Sequence, residues 1–193
     1  ADCTIKGLVV NNFSTDGYAG IYLNGCARAR IYGCYLGTDV NGTAQKKNSS
    51  GVFLNTGAQW NVIGSGDASG RNVISGNDYG VRMFGSNTLG NLVLGNYLGL
   101  KASGTSALAN NTGVVIDIGA RSNRIGNGTA GGRNIISGNT QAITLYITNS
   151  NEVLGNYIGT DVNGTAPVPN TAYGIAFLGG TATRYNKIGN GTA

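Results

Sequence analysis

Eight acidic side chains set the limit on the chemistry open to this chain: Asp2, Asp16, Asp39, Asp67, Asp78, Asp117, Glu152 and Asp161. Histidine is absent, so neither a Ser-His-Asp nor a Cys-His arrangement can be assembled. Glycoside hydrolysis of the usual kind needs two carboxyl groups flanking one bond, and Asp117, at an outward strand position described below, has no acidic neighbour in its column. Cys3, Cys26 and Cys34 allow at most one intramolecular disulfide. Three thiols without histidine also make a poor zinc site.

Two stretches place oxygen ligands in alternation. Gly37-Thr38-Asp39-Val40-Asn41-Gly42-Thr43 returns as Gly159-Thr160-Asp161-Val162-Asn163-Gly164-Thr165. Asp39, Asn41, Asp161 and Asn163 are therefore candidate calcium ligands, and calcium is the one ion the chain suggests; no other cofactor is expected. Calcium takes about six to eight oxygens, usually with several carboxylates, and each loop offers one. The same residues suit a turn, with Asp capping it and Asn-Gly supplying positive φ. A middle copy carries Lys101 and Ser103 in place of Asp and Asn, which favours the turn.

These loops belong to a longer repeat. Residues 33–43 recur at 95–105 and again at 155–165, and a period of this length decides the architecture before local propensity does. Within it lies a unit of about 30 residues, opened by a small residue and alternating apolar positions. The openings are Gly20-Ile21-Tyr22-Leu23, Gly51-Val52-Phe53-Leu54, Gly80-Val81-Arg82-Met83, Gly113-Val114-Val115-Ile116, Ala142-Ile143-Thr144-Leu145 and Gly174-Ile175-Ala176-Phe177. Period-two alternation predicts strands with one face buried. Two further short strands follow in each unit, as in Asn61-Val62-Ile63-Gly64 and Arg71-Asn72-Val73-Ile74-Ser75-Gly76-Asn77. Strands this short, separated by Gly/Asn bends and lacking hairpin turns, must pair with their equivalents in the next unit. The prediction is an all-β parallel solenoid of about six coils, three short strands per coil.

The pattern Gly-Ile-x-Ile…Asn-x-Ile-x-Gly-Asn resembles the repeats of right-handed parallel β-helix proteins, the pectin-lyase-like superfamily. Its extended form, Gly-Asn-Tyr-Ile-Gly-Thr-Asp with Arg-Asn-Ile-Ile-Ser-Gly-Asn, resembles repeat arrays of large bacterial secreted or surface proteins. The resemblance spans residues 3–193 and implies a right-handed β-helix on the outside of a cell. That fold hosts lyases, hydrolases, isomerases, adhesins and inert spacers, so it does not name a reaction. Polygalacturonase-like relatives use clustered Asp with His, and lyase-like relatives set calcium-binding acids beside an Arg or Lys. Arg82 sits at an outward position of its strand, but strand alignment puts no acid beside it.

Several structural expectations follow. Asn77, Asn96, Asn139 and Asn156, each after a glycine, should stack as an internal ladder that satisfies buried amides. Loops alternate between residues 65–70 or 127–132 and the longer 38–50, 100–112 and 160–173, which should project at every second coil. The sequons at Asn41, Asn127, Asn163 and Asn190 fall out of the repeat. Both ends fall mid-coil without polar caps, which suggests one domain over residues 1–193 cut from a longer array, or end-to-end stacking through exposed strand edges.

The outward columns carry the candidate binding residues. One column runs Tyr22, Phe53, Arg82, Val115, Thr144, Ala176; the other runs Asn24, Asn55, Phe84, Asp117, Tyr146, Leu178. Tyr22, Phe53, Arg82, Phe84, Asp117 and Tyr146 could stack sugar rings or mark a protein contact, unless neighbouring loops cover them. The net charge of +5 comes from 13 basic residues scattered along the chain, without the concentrated run of a nucleic-acid groove. No apolar stretch approaches the ~18 residues of a membrane span. The expected role is a non-catalytic structural or adhesive segment of a secreted or cell-surface protein, with a polysaccharide or surface component as partner. The alternative is a polysaccharide lyase or glycoside hydrolase.

Overall fold

The computed structural model describes residues 2–189; the repeat copy and sequon at residues 190–193 lie outside them. Every strand among the described residues is six residues or shorter, and the only helical segments there are two single 3-10 turns, Ala68–Gly70 and Gly180–Ala182. No helix among them is long and apolar enough to cross a membrane.

All strand pairing is parallel and coil to coil, in three sheets. The long-strand sheet stacks Ala19–Asn24, Ser50–Asn55, Tyr79–Phe84, Thr112–Asp117, Gln141–Tyr146 and Tyr173–Leu178. A second sheet stacks Thr4–Lys6, Arg30–Tyr32, Val62–Gly64, Leu92–Leu94, Arg124–Ile125, Glu152–Val153 and Lys187–Ile188. The third stacks Val9–Val10, Tyr35–Leu36, Val73–Ile74, Tyr97–Leu98, Ile135–Ile136 and Tyr157–Ile158. The chain is thus an all-β parallel solenoid with three strands per coil and about five turns.

The register matches the sequence columns. Ile21, Val52, Val81, Val114, Ile143 and Ile175 align, as do Leu23, Leu54, Met83, Ile116, Leu145 and Phe177. From Val52 to Leu145 these side chains are fully buried, each contributing roughly 1.5–3 kcal/mol by leaving water. Phe177, with no described coil above it, is exposed. Cys3, Cys26 and Cys34 are all unpaired; Cys34 is buried, which pushes its thiol pKa up.

The asparagines form three ladders, one at each corner. In the first, each Nδ2 donates to the next Oδ1 from Asn48 through Asn77, Asn110 and Asn139 to Asn170, at 3.0–3.2 Å. A second runs from Asn72 through Asn96 and Asn134 to Asn156, at 2.8–3.0 Å. The third runs from Asn61 through Asn91, Asn123 and Asn151 to Asn186, at 2.9–3.2 Å. The four asparagines expected in one ladder therefore divide between two. The reason is that the glycine before each one ends a different strand: Asn77 and Asn139 leave the third sheet, whereas Asn96 and Asn156 enter it. Each ladder amide also donates to a carbonyl of the preceding coil, as Asn110 does to Ile74 at 2.9 Å, so these polar cores are satisfied.

The second glycine of the Gly-Asn-Tyr-Ile-Gly motif is fixed by this packing. Gly37 and Gly99 have φ of 89° and 91°, and a Cβ there would lie 2.1 and 2.2 Å from the Oδ1 of Asn77 and Asn139. The three long loops project at every second coil and rest on one another. The Ala102 N–H donates to Gly42 O at 3.0 Å and the Val162 N–H to Gly104 O at 2.9 Å. Beneath them lies a small apolar cluster of Val73, Tyr97, Leu100, Ile135 and Val168. The guanidinium groups of Arg71 and Arg133 cover Tyr97 and Tyr157 at 4.3 and 3.9 Å from the ring centroids, a cation–π contact. That contact explains why the repeat pairs an arginine in one coil with a tyrosine in the next.

Candidate functional site

On the long-strand sheet the outward column Tyr22, Phe53, Arg82, Val115, Thr144, Ala176 forms in register. The rings of Tyr22 and Phe53 stack with centroids 5.3 Å apart and planes at 26°. The Arg82 guanidinium then lies against three aromatic rings, with centroids of Phe53, Tyr79 and Phe84 at 5.1, 5.0 and 5.4 Å. Phe53 is consequently only 8% exposed, while Tyr22 remains 50% exposed. Neighbours in the same sheet, Tyr22 and Arg82, pack against Phe53.

The sequence alignment placed no acid beside Arg82, and the structure corrects this. In register Arg82 faces Val115 and Asp117 faces Phe84, yet Arg82 Nη2 reaches diagonally to Asp117 Oδ2 at 3.5 Å. Long side chains span such diagonals in a sheet. The side chains are 23% and 14% exposed, and Arg82 Nε and Asp117 Oδ1 are buried without a hydrogen-bond partner. Burial pushes the Asp117 carboxyl above its ordinary range, while the Arg82 charge pulls it back.

Beside this pair a depression of about 340 Å³ opens, bounded by Tyr79, Asn111, Asp117, Gln141, Thr144 and Tyr146. Thus Phe53, Arg82, Phe84 and Asp117 meet directly, Tyr22 extends the aromatic row, and Tyr146 borders the depression. Tyr79 was missed because strict alternation breaks beside it. Gly80 and Val81 both face the core, a Cβ on Gly80 falling against Leu98 and Asn110, and this returns Tyr79 to the outward side. Asp117 is the sole acid within the six long strands. The cluster can accept or donate one proton and can hydrogen-bond a hydroxylated ligand, but it does not supply the carboxyl pair of a glycosidase.

The candidate calcium loops turn their carboxylates inward on themselves. Asp39 Oδ1 accepts from the N–H groups of Thr43 and Ala44 at 2.7 and 3.0 Å. Asp161 Oδ1 accepts from Thr165 and Ala166 at 2.9 and 3.2 Å. These N–H donors hold both carboxyls below their ordinary range, Ala44 acting most on Asp39 and Thr165 on Asp161. Asn163 Nδ2 donates to Asp161 Oδ2 at 3.4 Å. Among the described residues no three Cys, Asp or Glu side chains converge as a metal cluster would require.

The scattered basic residues gather more than their sequence positions suggest. Lys6, Arg30, Arg124 and Lys187 lie on second-sheet strands, and Arg28, Arg121 and Arg184 lie in the turns entering that sheet. The coils carrying Trp60 and Val62, and Gly90 and Leu92, add no basic residue at these positions, so the cations do not recur coil by coil. No family model matches the chain, and neither a curated protein nor a solved structure matches it.

Proposed function

We propose that this chain is a non-catalytic structural or adhesive segment of a secreted or cell-surface bacterial protein. In this reading it is a right-handed β-helix of the pectin-lyase-like kind that binds carbohydrate on its long-strand sheet. One observation carries the proposal: Tyr22, Phe53, Arg82, Phe84, Asp117 and Tyr146 lie on one contiguous face. Aromatic rings stack on apolar ring faces, and the polar side chains of Gln141, Thr144 and Tyr146 that border the depression would hydrogen-bond sugar hydroxyls.

A second reading, a polysaccharide lyase or glycoside hydrolase, draws on the raised Asp117 carboxyl beside Arg82, since perturbed groups cluster at active sites. One experiment separates the two. Acidic and neutral polysaccharides are screened for binding by calorimetry and for chain cleavage, with and without calcium. Binding without cleavage, weakened by Tyr146→Ala, supports the first reading. Cleavage abolished by Arg82→Ala or Asp117→Asn replaces it with the second, and no binding to any glycan removes both.

A further inference from the structure

The second sheet carries a feature that the long-strand face does not explain. At the turn into that sheet one residue of each coil adopts left-handed φ: Arg28 at 61°, Trp60 at 57°, Gly90 at 69°, Ser122 at 54°, Ser150 at 57° and Tyr185 at 59°. They align because the residues before them bridge coil to coil, Ala27 to Gln59, Leu89, Arg121, Asn149 and Arg184. A bulky residue in this region is uncommon.

Trp60 is 57% exposed, although tryptophan is highly buried on average. It lies across the next coil at Gly90, where a Cβ would stand 2.4 Å from Trp60 Cε3 and 2.5 Å from Cζ3. Glycine there lets the ring settle on the backbone instead of standing away from it. Beyond Gly90 the column falls to two serines, and a depression of about 410 Å³ opens against the indole. Ser122, Ser150, Arg124 and Glu152 border it. Glu152 Oε2 lies 2.6 Å from both Nε and Nη2 of Arg124, so the two charges at the depression cancel.

We infer that Trp60 is the platform of a second ligand subsite, which takes an uncharged pyranose ring of an oligosaccharide. An apolar sugar face stacks on the indole, and its edge hydroxyls meet the Ser122 and Ser150 hydroxyls and the outer atoms of the ion pair. An extended peptide would need a free strand edge, but Val62–Gly64, Leu92–Leu94 and Arg124–Ile125 are paired on both sides. A nucleic acid or acidic sugar would need an unpaired cation, and the only cation bordering the depression is Arg124, held by Glu152. The inference deepens the carbohydrate-binding reading on a different sheet, so the two can fail separately.

Trp60 is the chain's single tryptophan, so its intrinsic emission reports this site alone. The test titrates neutral gluco-, xylo- and manno-oligosaccharides, with oligogalacturonate as the acidic comparison, and follows emission alongside calorimetry. A saturable emission change with a neutral series is expected, unaltered by Tyr146→Ala. Trp60→Ala should weaken that binding about tenfold or more, and Ser150→Tyr, which fills the depression, should weaken it similarly while keeping the indole. Circular dichroism checks that both variants fold. Silent emission alongside calorimetric binding overturns the subsite and leaves the long-strand reading standing; silence in both removes both. An equal response to oligogalacturonate, or undiminished binding by both variants, also overturns the inference.

Discussion

Arg82 Nη2 lies 3.5 Å from Asp117 Oδ2 although the two residues belong to different columns, and three aromatic rings enclose the arginine. Removing one member of such a pair leaves the other charge partly buried and unmatched. Arg82→Leu should therefore destabilise the fold by about 2–3 kcal/mol, below the ~3–5 kcal/mol of a fully buried pair. Urea denaturation at neutral pH measures this directly.

The same pair makes a pH prediction. The folded state raises the Asp117 carboxyl above its unfolded value, burial outweighing Arg82, so the native chain binds this proton more tightly than the unfolded one. The resulting stabilisation is complete below the unfolded value of about 3.9 and is lost as pH rises through the higher folded value. Arg82→Leu removes the main opposing influence and should extend the loss to higher pH. Carboxyl titration by NMR, with denaturation at several pH values, checks both the sign and the extension.

Asn110 sits mid-ladder: its Oδ1 accepts from the backbone and side chain of Asn77, and its Nδ2 donates to Ile74 O and Asn139 Oδ1. Asn110→Ala strands several buried polar groups at once and should cost about 2–4 kcal/mol, since each costs about 1–3 kcal/mol and losses within one network are not additive. Chemical denaturation tests it, and a cost under about 1 kcal/mol would remove the ladder from the account of stability.

Gly99 and Gly159 occupy the same motif position with φ of 91° and 85°, but a Cβ meets Asn139 Oδ1 at 2.2 Å in the first and nothing within 4 Å in the second. Gly159→Ala should show only the left-handed cost of about 1–2 kcal/mol. Gly99→Ala should exceed it, because the ladder must shift. Comparing the two urea midpoints separates backbone strain from steric conflict.

Because Asp39 and Asp161 already accept backbone N–H groups of their own loops, calcium or a chelator should leave the melting temperature unchanged. A calcium-dependent rise, absent in an Asp39→Asn/Asp161→Asn double variant, would assign the ion to these loops. Their lowered carboxyls make a stabilising contribution that is present above about 3.9 and lost as pH falls through the folded values.

Most of the architecture was legible in the sequence. Alternation at Ile21 and Leu23, repeated at Val52 and Leu54 and onward, specifies strands with one buried face, and a repeat without hairpin turns leaves coil-to-coil pairing as the remaining solution. The columns follow from the period alone, because a one-residue slip would turn every apolar side chain outward. The candidate site was legible only in part. The alignment gathered Tyr22, Phe53, Arg82, Phe84, Asp117 and Tyr146 on one face, since alternation assigns faces.

Tertiary structure decided the rest. Arg82 meets Asp117 because a long side chain crosses a diagonal that column alignment does not represent, and Tyr79 joins them because Gly80 and Val81 both turn inward. Which asparagines share a ladder depends on the corner each occupies, and Asn77 and Asn96 look alike in sequence because both follow a glycine. Trp60 carried no signal of its own. Its exposure depends on Gly90, thirty residues later in the chain and one coil away in space, and a period reports which residues stack without reporting which side chain leans across its neighbour.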